Sequence, residues 1–250
     1  MHHTGAYSAT LTVAANSENE IQAVVDNYFT IQNNHFLPQR DVNLLYACGM
    51  GATITKQRIN TPSLGVITSP FIMPLSGVLG ASSPQKIRWF DPTELKLSKL
   101  EELQVFTTHT AATAEQNVTV FGFDMGQIAE PPGNVYCIRG TGTATLVATT
   151  WTNINPIVWQ NTLPNGLYAV VGAAFQSATC LAGRIIFENT SYRPGAVGQQ
   201  AITDWTNDIF RNGGLGVWGQ FHNYAMPQIE FLASGADAAE TVFLDLVKIG

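Results

Sequence analysis

Short alternating runs of apolar and polar residues recur along most of the chain. Residues 7–13 alternate and are rich in β-forming side chains, and a polar turn at 16–20 follows them. The apolar positions of residues 21–31 also fit a helix, but their Val, Tyr, Phe, Thr and Ile content favours a strand. The pattern therefore predicts a protein built from β-strands.

The same pattern predicts strands in both halves of the chain. We expect them at residues 42–48, 52–59, 86–90, 103–108, 118–123, 143–147, 166–171, 178–187, 214–221, 228–232 and 241–247. The Pro-, Gly- and Ser-rich segment 61–84 is expected to be a long ordered loop.

Two short helices are predicted inside the long connections. One covers residues 91–95 with Asp91 as its N-cap, and the other covers residues 202–210 with Thr203 or Asp204 as its N-cap. The two helices do not fall at matching places in the two halves. That difference either weakens the repeat described next or reflects divergence in the longest loop.

Landmarks of the first half recur in the same order in the second half. The pairs are Tyr46 with Tyr168 and Val120 with Val242 at 122 residues each, Arg58 with Arg184 at 126, and Trp89 with Trp218 at 129. Residues 143–147 likewise resemble residues 8–13. Chance similarity among β-rich segments is the alternative, because Leu-Tyr-Ala and Thr-Val-Phe are common patterns.

A break in the middle of the chain separates the two halves. Residues 126–133 contain two prolines and two glycines, which is typical of a connector. We therefore expect a first unit at 1–125, a connector at 126–134 and a second unit at 135–250. A unit of about 120 residues with seven or eight short strands suits a β-sandwich or jelly roll. The expected fold is all-β, with two tandem jelly-roll units and short helices in the long loops.

Charge is scarce in this chain. Charged residues make up 12% of the sequence, apolar residues 45%, and the net charge is −6 with no run of Lys or Arg. Such a composition suggests a surface that other copies of the chain cover, although a compact β protein rich in Thr, Asn and Gln is the alternative. The missing basic run argues against a nucleic-acid groove. We also expect no secretory signal and no membrane helix.

No catalytic, cofactor or metal signature stands out. Residues 214–219 match GxGxxG, but a predicted helix precedes them, a strand follows, and Trp218 would crowd a pyrophosphate, so a turn is favoured. His35, His109 and His222 are expected to make polar contacts rather than catalyse. His2 and His3 are expected to lie in a mobile terminus.

Acidic residues are dispersed and suggest surface roles. Glu101 and Glu102 are expected to form an exposed pair at a helix end. Asp204 and Asp208, with Asn207, could hold a cation, but capping and a solvated helix face are favoured.

Cysteines and tryptophans also favour structural roles. Cys48, Cys137 and Cys180 form no CxxC pair, so buried free thiols are expected. The tryptophans at positions 89, 151, 159, 205 and 218 are expected in the core or in subunit contacts. Arg193 could bind a carboxylate of a neighbouring copy, with a simple loop turn as the alternative.

The ordered motifs resemble a family of viral shell proteins. Leu-Tyr-Ala, Arg-Ile, Tyr-Arg-Pro-Gly at 192–195, Gly-Val-Trp-Gly at 216–219, Ile-Glu-Phe-Leu at 229–232 and Thr-Val-Phe-Leu-Asp-Leu at 241–246 carry the resemblance. It is to the double jelly-roll major capsid proteins of tailless icosahedral bacteriophages with an internal membrane. The resemblance spans the whole chain but is poor in motifs, and 250 residues is short for that family.

The resemblance implies a self-assembling role without catalysis. It implies homotrimers that act as pseudo-hexameric capsomers in a virion assembled in the host cytoplasm. The implied partners are further copies, other capsid proteins such as a vertex protein, and a viral membrane beneath the shell, with no cofactor and no specific nucleic-acid binding. A carbohydrate-binding β-sandwich, either lectin-like or a fibre domain, is the alternative function.

Overall fold

The computed structural model describes residues 1–12, 14–62, 87–91, 95–110, 114–200 and 214–250. Within these ranges the chain forms β-strands and no helix. The predicted helix at 202–210 and residues 92–94 of the other predicted helix lie outside the described residues. Among the described residues, no helix has the length and apolar character that a membrane crossing requires.

The chain divides into two compact units. The N-terminal unit is Gly5–Asp124, and the C-terminal unit combines Met1–Thr4 with Met125–Gly250. The first strand therefore begins in the C-terminal unit and continues in the N-terminal unit.

The N-terminal unit is built from ten strands among its described residues. They are β1 (His2–Thr12), β2 (Glu18–Ala23), β3 (Thr30–Gln32), β4 (His35–Leu37), β5 (Val42–Met50), β6 (Ile54–Asn60), β7 (Arg88–Trp89), β8 (Lys96–Leu97), β9 (Gln104–His109) and β10 (Ala114–Asp124). The predicted strand at 21–31 is thus divided, because β2 ends at Ala23 and β3 begins at Thr30.

In the N-terminal unit, strands from the beginning of the unit pair with strands from its end, as in a long hairpin that is folded over. Neighbouring strands run β6-β9-β2-β1-β10-β5-β7, with β8 on β5 and a separate β3-β4 pair. The first long strand thus pairs with the last, β2 with β9, and β5 with β7. This nesting of pairs is the jelly-roll order. Residues 63–86 lie outside the described part of the chain.

The C-terminal unit has nine further strands among its described residues. They are β11 (Val135–Gly142), β12 (Trp151–Asn153), β13 (Val158–Trp159), β14 (Leu167–Gln176), β15 (Cys180–Ile186), β16 (Gly195–Val197), β17 (Gly219–His222), β18 (Gln228–Ala233) and β19 (Glu240–Lys248). The predicted strand at 143–147 is wrong, because β11 ends at Gly142 and those residues form no strand.

The nested pairing is complete in the C-terminal unit. The antiparallel pairs are β11 with β19, β12 with β18, β14 with β17 and β15 with β16. These pairs lie in two sheets, ordered β13-β11-β19-β14-β17 and β12-β18-β15-β16. Eight strands paired first to last and folded into two sheets form a jelly roll, so the expected fold class is confirmed.

Each unit has its own aromatic core. In the N-terminal unit, the Tyr7 ring packs edge-on against Phe36 and Phe121, and its hydroxyl donates to the Leu103 carbonyl at 2.5 Å. In the C-terminal unit, Phe175 packs edge-on against Phe231 at 5.8 Å. Buried aromatic pairs of this kind contribute strongly to the stability of a protein core.

Candidate functional site

The first residues of the chain are held firmly in the C-terminal unit. The His2 ring nitrogen Nε2 lies 2.8 Å from the carbonyl oxygen and 3.1 Å from the amide nitrogen of Gly195. The Arg193 amide donates to His3 Nδ1 at 3.1 Å, and the Thr4 amide donates to the Arg193 carbonyl at 2.9 Å. His2, His3 and Thr4 are buried, so the prediction of a mobile terminus is wrong. We call Met1–Thr4 the N-terminal strap.

The strap is anchored at its very start as well. The Met1 amino group donates to the Gly126 carbonyl, and the Met125 amide donates to the Met1 carbonyl at 3.0 Å. The His2 ring stands edge-on to the buried Trp218 ring, with centroids 4.7 Å apart. Sequence reasoning missed this arrangement because terminal histidines carry no pattern that signals burial.

Burial keeps the His2 ring neutral. It lowers the pKa of His2 from 6.5 to about 3, against the opposing effect of the Gly195 backbone contact; the N-terminal amino group and His3 lower it further. A neutral imidazole needs less hydration than a charged one, so the packed strap depends on the uncharged form.

A buried arginine lies beneath the strap. Arg184, on β15, donates through Nε to Glu230 Oε2 on β18 at 2.6 Å and through Nη1 to the Thr4 carbonyl at 3.4 Å. Its guanidinium lies over the Trp151 ring, 4.0 Å from the centroid. Arg193 Nη1 approaches the same Glu230 oxygen at 3.2 Å. The sequence suggests that Arg193 could bind a carboxylate of a neighbouring copy. In the structure it pairs with a carboxylate of its own chain.

The N-terminal unit has a matching arrangement on its own surface. Arg58, on β6, donates to both carboxylate oxygens of Glu18 at 2.7 and 2.6 Å. Its guanidinium lies 4.2 Å from the centroid of the Phe106 ring. The Arg58 hydrogen bond lowers the pKa of Glu18, and the same bond raises the pKa of Arg58.

Two histidines of the N-terminal unit have carboxylate neighbours. His35 Nε2 is 2.7 Å from Glu20 Oε1, and its Nδ1 is 3.6 Å from Glu102 Oε2. His109 is buried, with Nδ1 3.6 Å from Glu115 Oε1. No described group of three or more His, Cys, Asp or Glu residues is arranged to hold a metal ion.

Two expectations about acidic residues meet different outcomes. Glu101 is buried outside any helix, and its carboxylate accepts the Ser98 amide at 2.7 Å, so the predicted exposed helix-end pair is wrong. The carboxylate there closes a turn after β8. Asp204, Asn207 and Asp208 lie outside the described residues, as do residues 202–210 as a whole.

The cysteines are not all buried as expected. Cys48 and Cys180 are buried, and burial raises the pKa of both thiols, that of Cys48 to about 12. Cys137, near the start of β11, is exposed. The prediction of a buried thiol is therefore wrong for Cys137, and the side chains of its neighbours Val135 and Tyr136 are exposed as well.

The glycines of the GxGxxG match shape the chain before β17. Gly214 and Gly216 have φ values of +87° and +66°, which favour glycine. A side chain at Gly216 would also approach the Ile128 carbonyl oxygen to 2.3 Å. Trp218 is buried and Gly219 opens a strand. These residues therefore form a turn into the sheet, without a following helix to bind phosphate.

Tryptophans occupy several kinds of environment. Trp218 is fully buried, Trp89 is partly exposed, and Trp151 and Trp159 are half-buried. Trp205 lies outside the described residues.

A groove runs beside β17 in the C-terminal unit. Its volume is about 550 Å³, and Phe187, Val217 and Phe221 are among the apolar residues that line it. His222 and Tyr224 stack at its side, with ring centroids 4.9 Å apart and planes 11° from parallel. No local sequence pattern indicates this groove, because its lining comes from segments that are far apart in the chain.

Comparisons with known proteins add one likeness. No protein-family model matches the chain, and no curated protein matches it. Among solved structures, it is similar to the major capsid protein P2 from bacteriophage PM2, with 9% identity and a TM-score of 0.25 over 100% of this chain and 98% of that chain. With identity and TM-score this low, the likeness adds no argument about function, and the strand order carries the fold assignment.

Proposed function

We propose that the chain is a structural protein that assembles with further copies of itself into an icosahedral virus shell. Its working parts are a first jelly-roll unit at 1–125, a connector at 126–134 and a second unit at 135–250. It acts in the virion after assembly in the host cytoplasm. Its role involves no catalysis, cofactor or specific nucleic-acid binding.

The observation that carries this proposal is the repeated strand order. Both units nest their strands first to last, and jelly rolls are common in viral capsids and in lectins. Two such units in one chain allow three copies to place six similar units around an axis, a ring that tiles in a hexagonal lattice. We therefore infer homotrimeric, pseudo-hexameric capsomers.

The surface composition supports self-assembly. Only 12% of the chain is charged, and large apolar side chains such as Val25, Leu100 and Val158 are exposed. Such a surface resists association less than a densely charged one. In a closed lattice many weak interfaces, each of a few kcal/mol, act together. Vertex proteins and an underlying viral membrane complete the proposed set of partners.

Sedimentation velocity over a concentration series tests the shell role. We expect the purified protein to form trimers and larger particles as concentration rises. The variant lacking residues 202–210 should remain folded, as judged by circular dichroism, but should stop at small species. The deletion tests our inference that residues 61–84 and 191–214 make the contacts between copies, and normal particles from that variant would contradict it. A chain that stays monomeric at every concentration would overturn the shell role itself.

A further inference from the structure

Tyr224 is displayed on a rigid turn at the side of the groove beside β17. The Ala225 amide donates to the His222 carbonyl at 2.8 Å and closes the turn. Asn223 fixes the turn to Gly166, whose amide donates to Asn223 Oδ1 at 3.1 Å and whose carbonyl accepts the Asn223 amide at 3.2 Å. Binding to this turn therefore requires little loss of conformational freedom.

The Tyr224 ring is unusually open for a large aromatic side chain. One face stacks on His222, and the side chain is 76% exposed. Since tyrosine usually buries most of its ring, an exposed and rigid ring next to a groove suggests a contact surface. The negative face of such a ring attracts the weakly positive C–H bonds of a pyranose.

Polar side chains stand around the same groove. Glu188, Asn189 and Gln220 are exposed and line it, together with Thr190. A carboxylate and two amides offer both donors and acceptors, which is the combination that adjacent sugar hydroxyls require. The volume of about 550 Å³ falls within the range of small-ligand sites.

We propose that this groove binds a neutral glycan, with one hexose ring packed on Tyr224 and its hydroxyl groups bonded to Glu188, Asn189 and Gln220. This activity goes beyond the proposed shell role, since it would give the assembled surface a means of attaching to carbohydrate.

The charge of the groove selects the class of glycan. Among the described residues that line it, none is a lysine or arginine, while Glu188 contributes a carboxylate. Sialylated or sulfated sugars would bring a negative charge towards Glu188, and the positive amino group of Met1, which also lines the groove, is already bonded to the Gly126 carbonyl. Neutral hexoses and N-acetylhexosamines avoid that repulsion.

Saturation-transfer NMR on the full-length protein tests the site. The probes are the methyl glycosides of glucose, galactose, mannose and N-acetylglucosamine, with sialyllactose as the anionic comparison. We expect at least one neutral glycoside to bind, with a Tyr224→Ala variant weakening it about tenfold or more. Tyr224→Trp should retain binding, and Tyr136→Ala, a matched exposed tyrosine outside the groove, should leave it unchanged.

Several outcomes would overturn the proposal. Binding of none of the neutral glycosides, binding of sialyllactose alone, or undiminished binding by Tyr224→Ala would each do so. Sedimentation of the same variants separates the alternatives. If Tyr224→Ala loses self-association instead of sugar binding, the groove is a contact between copies; if it loses only sugar binding, both the shell role and the glycan site stand.

Discussion

The two units place an arginine on equivalent strands and surround it differently. Arg58, on β6, lies over an aromatic ring on the neighbouring strand β9 and reaches Glu18 on the next strand, β2. Arg184, on β15, pairs with Glu230 on the neighbouring strand β18 and lies over an aromatic ring on β12. The acid and the ring have exchanged strands.

The larger difference is burial. The Arg58 and Glu18 side chains are 22% and 32% exposed, whereas those of Arg184 and Glu230 are 1% and 10% exposed. The N-terminal strap supplies a carbonyl to Arg184. The two ion pairs are therefore expected to affect the free energy of unfolding differently, because the energy of an ion pair depends strongly on its access to water.

The largest expected effect comes from removing the buried arginine. Arg184→Met leaves Glu230 buried with Arg193 as its remaining partner and should lower the free energy of unfolding by about 3 kcal/mol or more. Urea denaturation followed by fluorescence of the C-terminal unit measures this. A Trp89→Phe background isolates that unit, because the other four tryptophans belong to Met125–Gly250.

A matched double variant sharpens this result. Arg184→Met with Glu230→Leu replaces the ion pair by apolar groups and should recover part of the lost stability, because the buried carboxylate that has lost Arg184 is gone. If Arg184→Met and Arg58→Met weaken the protein equally, burial does not distinguish the two arginines and the comparison is wrong.

Loss of the strap's ring contact should come next in size. His2→Ala removes the edge-on contact with Trp218 and leaves a cavity, so we expect a loss of about 2–4 kcal/mol in the same fluorescence assay. His2→Phe keeps a ring of similar size and should lose less. A value below about 0.5 kcal/mol for His2→Ala would mean that the strap adds little to the C-terminal unit.

The strap also predicts a pH dependence. The pKa of His2 is about 3 in the folded protein and 6.5 when exposed, so between these values only the unfolded chain takes up the proton. Stability from this residue is therefore complete above pH 6.5 and falls with decreasing pH, by at most about 1.4 kcal/mol per unit.

Comparison with His2→Phe isolates this effect. Burial raises the pKa of Glu240 above 4.5, so the folded protein keeps that proton to a higher pH than the unfolded chain does. The contribution of Glu240 to stability therefore falls as pH rises through and above 4.5, which is the opposite direction to the effect of His2. Unfolding free energies measured from pH 7 to pH 4 should fall more steeply for the wild type than for the variant. Parallel curves would contradict a neutral, buried His2.

The smallest expected effect belongs to the exposed pair. Arg58→Met should cost about 0.2–1 kcal/mol, because water screens its ion pair with Glu18. The loss should shrink further in high salt. Thermal unfolding at low and at high ionic strength checks both statements, and a salt-independent loss would show that packing on Phe106 matters more than charge.

Sequence patterns were sufficient for the fold class. The apolar and polar patterns placed strands close to β5, β6, β9, β10, β18 and β19, because each is a run of six or more residues that contains β-forming side chains. The repeat also matched corresponding strands. Tyr46 and Tyr168 lie on β5 and β14, and Val120 and Val242 lie on β10 and β19.

The equal separations within that repeat did not reflect equal register. Val120 lies opposite Cys48, two residues beyond Tyr46, whereas Val242 lies opposite Phe175, seven residues beyond Tyr168. Short motifs therefore identified the strand but not the position along it. A register is set by cross-strand packing and by bulges, such as the one between Val170 and Gly172, which leave no trace in single-strand patterns.

Long-range contacts were beyond sequence reasoning. The burial of His2 depends on Gly195 and Trp218, and the groove at Tyr224 depends on residues around Phe187. Neither involves a local motif, so only the folded chain brings these residues together.

Electron cryomicroscopy of the purified, concentrated protein tests the central claim most directly. The account predicts closed shells or flat lattices built from trimers, with six jelly-roll units around each three-fold axis. Particles that remain single chains at every concentration, or a lattice whose repeating unit does not contain paired jelly rolls, would contradict it.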